Sequence, residues 1–252
     1  MTRQFLRLER NEGHYLAYRH FPGSSPGILF CPGFHSNMEG NKAIALEAYC
    51  RERNRQFTSF DYFGHGQSSG AVEEGTIGQW RDDTLAILDG VTSGPQIVVG
   101  SSMGGWMMLL AALERPGRIE AMIGIASAPD MTGQQRKRLG PEQLRSLAEE
   151  GWCDLPNAYD DRQPHRIRQT FLDEAERHFL LGKPIPVTVP VRLLHGLEDL
   201  DVPWERSMRL VRGLESVDVS LHLVKNGDHR LSTPGDLELL TNTVDQLLKD
   251  CG

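Results

Sequence analysis

Apolar residues along this chain fall into two kinds of run. Short strand-like runs at residues 27–31, 56–61, 97–99, 119–126 and 189–194 alternate with longer segments at 42–53, 76–91 and 107–113, whose apolar residues suit a helix. A strand buried on both faces reads as a continuous apolar run, and a helix lying over it reads as an amphipathic one. Strand and helix alternating through short connections predict a mostly parallel sheet with helices on both faces. Residues 4–9 and 14–21, joined through the turn-forming Asn11-Glu12-Gly13, add an antiparallel hairpin at the start. A helix at 204–214, a strand at 217–224 and a helix at 236–249 close the chain, for about eight strands in all.

The alternation breaks between residues 130 and 186, where the composition turns polar and charged. Helices are predicted near 141–150 and 166–181, and no buried strand. This segment follows the strand at 119–126, so it is expected as a helical cap over the carboxyl edge of the sheet. The expected organisation is a first part of the core at 1–129, a helical cap insertion at 130–186 and a second part of the core at 187–252.

The sharpest local signal is Gly100-Ser101-Ser102-Met103-Gly104, set between the run at 97–99 and the helical segment that follows. Glycines on either side of a serine let strand and helix close on each other and force the serine into a strained turn, with its hydroxyl at the carboxyl edge. Serine is a weak nucleophile at neutral pH and needs a base, which in turn needs an orienting acid. Asp199 and His229 each follow a later strand, in the chain order Ser, Asp, His that suits this turn. Asp201, Glu198 and Asp130 are alternative acids. His195 and His65 are read as structural. The backbone amides of Met103 and of Phe34, after Pro32-Gly33, are the expected oxyanion donors. Trp106, Trp152, Phe171 and Phe179 are apolar residues that could shape an acyl pocket.

Bulk properties exclude several alternatives. The chain has 252 residues and a net charge of -7, which argues against nucleic acid or an anionic membrane as its main partner. Its four cysteines, Cys31, Cys50, Cys153 and Cys251, form no Cys-x-x-Cys, so neither a disulfide scaffold nor a zinc site is expected. A metal site on His195, Asp199 and Asp201 would leave the serine turn unexplained; no metal and no cofactor are expected. The first ten residues show neither a signal-peptide apolar region nor a cleavage site, and no apolar run reaches the length of a membrane span. A cytoplasmic location without membrane insertion is the expectation, with the oligomeric state left open.

Together, Pro32-Gly33-Phe34, the loop at 61–68, the Ser102 turn, His195-Gly196-Leu197-Glu198-Asp199 with Val202-Pro203, and Gly227-Asp228-His229 resemble the α/β-hydrolase family over essentially the whole chain. The resemblance implies an α/β-hydrolase fold and a serine hydrolase acting on carboxylic esters or acyl thioesters, with a small molecule or an acylated protein as substrate. Within the family the chain is most similar to the palmitoyl-protein thioesterase and acyl-glucuronide esterase branch. Ser25-Pro26-Gly27-Ile28, Gly94-Pro95-Gln96-Ile97, Val202-Pro203-Trp204 and Asp228-His229-Arg230 carry that finer likeness. Many esterases of the family have His-Gly where this chain has Pro32-Gly33, a change that keeps the backbone donor. Eukaryotic members of the branch carry an organelle-targeting extension, a feature not read in this sequence. A ligand-binding protein without turnover, or a perhydrolase or acyltransferase on the same triad, are the alternative readings.

Overall fold

The computed structural model describes residues 4–155 and 165–250, with the backbone only of Glu12 and His165. Its centre is a sheet of eight strands: β1 (Leu6–Glu9), β2 (Tyr15–Phe21), β3 (Ser24–Cys31), β4 (Arg55–Phe60), β5 (Gln96–Ser101), β6 (Ile119–Ile125), β9 (Val191–Gly196) and β10 (Val219–Val224). Two further strands, β7 (Trp152–Leu155) and β8 (His165–Arg168), pair only with each other. The order across the large sheet is β1-β2-β4-β3-β5-β6-β9-β10. β2 runs antiparallel to β1 and β4, and every pairing from β4 to β10 is parallel.

Side chains on the parallel strands alternate between two cores, as the two-residue period of a strand requires. Leu29, Val98, Met122 and Leu193 face one core, which also takes residues of α2 (Ile77–Gly90) and α3 (Met103–Glu114). Ile28, Val99, Ile123 and Leu194 face the other, under α1 (Asn41–Glu52) and α8 (Pro234–Asp250). Covering both faces explains why β3 and β5 carry consecutive apolar residues rather than an alternating pattern. The start of α2 is set locally: the Thr76 hydroxyl accepts from Gln79 N at 3.1 Å.

The segment between β6 and β9 differs from the purely helical expectation. It holds α4 (Met131–Arg138), α5 (Pro141–Glu150), the β7-β8 pair and α6 (Gln169–Glu176). The stretch expected as one helix from residue 166 begins as a strand, with Cys153 and Ile167 in register and buried. Four-residue strands are too short for their alternation to stand out against an adjoining amphipathic helix. α7 (Glu205–Gly213) completes the fold beside β10.

Candidate active site

β5 ends at Ser101, and Ser102 takes φ 55°, ψ −119° as it enters α3. A positive φ at a non-glycine residue costs on the order of 1–3 kcal/mol and persists only where the surroundings impose it. Here the backbone does so: Ser102 N donates to Ile125 O at 2.8 Å, while Ser102 O accepts from Gly105 N at 2.9 Å and Ala128 N at 3.0 Å. The flanking glycines allow the close approach. A Cβ on Gly104 would lie 2.5 Å from Pro32 O and nearer still to Cys31 O, and one on Gly100 would lie 2.6 Å from the Gly104 carbonyl carbon.

The three side chains expected to act together do meet. His229 Nε2 lies 3.1 Å from Ser102 Oγ, and His229 Nδ1 lies 2.8 Å from Asp199 Oδ2. Since the carboxylate only accepts, Nδ1 carries the proton and Nε2 is left to accept from the serine hydroxyl. The Asp199 side chain is fully shielded from solvent. Its Oδ1 accepts from Asp201 N at 2.9 Å and Val202 N at 2.8 Å. Burial by itself raises the Asp199 carboxyl, but hydrogen bonds from His195 and His229, the His229 charge and the Val202 amide outweigh it. The group is held below the ordinary carboxylate range. Of the alternative acids, Asp130 accepts from Leu180 N and Leu181 N, both at 2.8 Å, and Glu198 is exposed, while Asp201 lies near His229 but it is Asp199 Oδ2 that meets Nδ1.

The Pro32-Gly33-Phe34 turn sits beside Ser102. A Cβ on Gly33 would meet Ser102 Cβ at 3.3 Å and Ser102 Oγ at 3.9 Å. Met103 is the first residue of α3, where an N–H has no partner within the helix and is directed out of its N-terminus. The helix start at Met103 and the Gly33 turn, which carry the two amides expected to hold an oxyanion, therefore both adjoin Ser102. Asp61 fastens the adjoining loop, accepting from Met38 N at 2.7 Å and Gln67 N at 2.8 Å, with burial pushing its carboxyl up to about 6. His65 is buried with Nδ1 3.1 Å from Phe63 O, which fits the structural reading.

Two positioning features were not legible in the sequence. Gly196 lets the base loop close on the acid loop, for a Cβ there would lie 2.4 Å or less from the Gly227 carbonyl. Lys42 on α1 donates to Arg230 O at 2.5 Å and Ser232 Oγ at 3.2 Å, tying the loop that carries His229 to the opposite side of the site. Burial lowers its ammonium to about 8.

Ser102 and His229 open into a cavity of about 970 Å³. Its apolar lining includes Phe30, Phe34 and Val202 and, from the segment between β6 and β9, Met131, Leu139, Leu155 and Ile167, while Lys42, Gln134, Arg138 and Arg206 give it polar and charged walls as well. The four aromatics expected at the pocket are not among the lining residues. Trp106 is buried in the core with Nε1 3.0 Å from His178 O, and Phe179 packs against it. Phe171 lies against Phe34 and Trp80, and the Arg166 guanidinium covers the Trp152 ring at 3.6 Å. Trp106, Phe171 and Phe179 sit where the segment between β6 and β9 meets α2 and α3, a junction where large aromatics bury most area, and Trp152 stays on β7.

Competing chemistries find less support. Donor atoms of Asp199, Asp201 and His229 lie within 4.8 Å of one another, but both Asp199 oxygens and both His229 nitrogens are already hydrogen-bonded. His195 is not part of that group. Cys31, Cys50 and Cys153 are free and buried, and burial pushes the first two thiols up to about 12, far from a reactive thiolate. Cys251 lies outside the described residues.

The family model described as the alpha/beta hydrolase fold matches residues 26–149. The mouse protein named "Palmitoyl-protein thioesterase ABHD10, mitochondrial" is 47% identical over 241 residues, 96% of this chain and 81% of that protein. This chain belongs to the α/β-hydrolase family. Its human relative of the same name is 43% identical over 96% of this chain and 79% of its own length. Among solved α/β hydrolases, the mouse alpha/beta hydrolase domain-containing protein 10 superposes with a TM-score of 0.93 at 46% identity, covering 99% of this chain and all (100%) of that one. A putative hydrolase from Agrobacterium vitis S4 superposes with a TM-score of 0.91 at 30% identity, over 97% of each chain. The relatives' names also correct one expectation: they are called mitochondrial, which overturns the cytoplasmic placement. Among the described residues no helix is long and apolar enough to cross a membrane.

Proposed function

We propose that this α/β hydrolase cleaves acyl thioesters and carboxylic esters through a Ser102 acyl-enzyme, with His229 as base and acid and Asp199 as its orienting partner. One observation carries the reading: the chain Ser102 Oγ, His229, Asp199, with links of 3.1 and 2.8 Å, opens into a cavity of about 970 Å³ that has an apolar wall at Met131, Leu139, Leu155 and Ile167. Ser102 Oγ adds to the acyl carbon as His229 Nε2 takes its proton. The amides of Met103 and Phe34 hold the resulting oxyanion. His229 returns the proton to the departing sulfur or oxygen, and the same steps with water in place of serine release the acid. Asp199 stays ionised throughout. A palmitoyl-protein thioesterase activity is named for relatives 43–47% identical to this chain, and a protein-bound or small-molecule acyl thioester is the substrate class proposed here. We read the 130–186 segment as the cap that forms the acyl wall.

The test is a panel of acyl chain lengths on sulfur and oxygen leaving groups, assayed with the parent enzyme and Ser102→Ala. Turnover of both leaving groups, lost in Ser102→Ala, is expected. Tight acyl binding without product would favour a binding protein, and turnover unchanged in Ser102→Ala would sink the mechanism. The cap reading adds a specificity prediction: Ile167→Trp, at a buried wall position, lowers kcat/KM for a sixteen-carbon thioester by about tenfold and leaves a four-carbon one within about twofold. Equal loss on both chains would place the acyl group elsewhere.

A further inference from the structure

A second histidine touches the carboxylate that orients His229. His195 lies near the end of β9, is fully buried, and has its ring held at three points. Nδ1 lies 2.7 Å from Ser207 Oγ on α7, and Nε2 lies 2.9 Å from Val202 O and 3.1 Å from Asp199 Oδ2. A carbonyl and an ionised carboxylate both accept, so the proton sits on Nε2 and is shared between them; Nδ1 then accepts from the Ser207 hydroxyl. Asp199 Oδ2 consequently receives two imidazole N–H groups, from His195 and from His229, while Oδ1 receives two backbone amides.

We infer that His195 is a positioning residue of this hydrolase: its Nε2–H turns the Asp199 carboxylate towards His229 and moderates the charge that His229 meets. The inference rests on the Ser102 mechanism proposed above. His229 has to become charged and neutral again in every cycle, so an orienting carboxylate that binds the imidazolium too tightly makes it a poorer acid. A second donor on the same oxygen takes up part of that charge. The Ser207 hydroxyl fixes the tautomer that allows this, and links α7 to the acid loop. The other ionisable groups nearby are accounted for. Asp201 shares the acid loop, and Asp228, next to His229, accepts from Arg230 N and Leu231 N. Lys42 holds the base loop, Arg206 beside Ser207 hydrogen-bonds to Pro129 O and Gln134 Oε1, and Asp130 accepts the Leu180 and Leu181 amides.

The experiment compares His195→Leu, His195→Gln and His195→Asn with the parent enzyme by kcat, KM and the pH dependence of kcat/KM on one oxygen ester. His195→Leu is expected to lower kcat by roughly 10- to 100-fold, the scale of one charge-assisted hydrogen bond, with KM within about twofold. Its acid limb moves to higher pH, because a carboxylate with one donor fewer favours the protonated form of His229. His195→Gln, whose amide N–H reaches the Nε2 position, is expected to recover most of the activity and return the limb. The shorter His195→Asn is not, and this pair reads the same contrast should His195→Leu fail to fold. Equal kcat in the Gln, Asn and Leu variants, or an acid limb that stays in place or moves to lower pH, would show that His195 only fills space. Loss of this pattern with Ser102-dependent turnover intact overturns this inference alone; a parent enzyme without Ser102-dependent turnover overturns the mechanism with it.

Discussion

Replacing His229 with alanine is expected to lower kcat/KM by roughly 10⁴- to 10⁶-fold, and adding Ser102→Ala to it is expected to cost nothing further. The reason is that the two side chains act as one group. Ser102 Oγ has His229 Nε2 at 3.1 Å as its proton acceptor, and without that base the hydroxyl is as unreactive as any alcohol. The residual rate expected in both single variants and in the double variant is assigned to the proposed oxyanion amides and the cavity, which none of the substitutions touches. The check is a kinetic comparison of all three variants on one activated acyl ester. Multiplicative losses would mean that serine and histidine contribute independently, which this geometry does not allow.

Substituting Gly104 with alanine is the other change with a large expected effect, on stability and on rate at once. The added Cβ would press on Cys31 O and on Pro32 O, the latter at 2.5 Å, and both are backbone atoms at the end of β3. Relief requires β3 and α3 to move apart, a strain of about 3 kcal/mol, which lowers Tm by roughly 6–12 °C in a chain of this size. The same movement separates the Met103 and Phe34 amides, so kcat is expected to fall by about 100-fold or more in protein that still folds. Gly117→Ala is the control, because nothing lies within 4 Å of the Cβ it would add. Thermal melts and kcat for both variants check the prediction; a silent Gly104→Ala would contradict the tight wedge at the elbow.

The glycine wedge and the Ser102–His229 pair are also the parts of the molecule most legible in the sequence. Gly104 and Ser102 stood out because a strained turn between strand and helix demands small residues at fixed positions. Asp199 and His229 followed from chain order and from their place after β9 and β10, which a parallel sheet brings to one edge. The parallel strands were legible because both of their faces are buried. The inserted segment was not. α4 reads MTGQQRKR, a helix with one large apolar residue and no periodic stripe, and β8 is four residues long. Which of its residues face the cavity depends on how the segment packs, so Leu139, Leu155 and Ile167 were missed while Trp106 and Phe171 were expected and lie in the core. His195 shows the same limit. Its place before Gly196 was visible in the sequence, but its bonds to Ser207 and Asp199 exist only once α7 has packed beside the acid loop.

The central claim, that Ser102 is the nucleophile and is activated by His229, is tested most directly by trapping. Incubation with a fluorophosphonate followed by peptide mass spectrometry is expected to place a single adduct on Ser102 in the parent enzyme, none in Ser102→Ala, and one formed at least about 1000-fold more slowly in His229→Ala. An adduct on another residue, or labelling of Ser102 at the parent rate in His229→Ala, would contradict it.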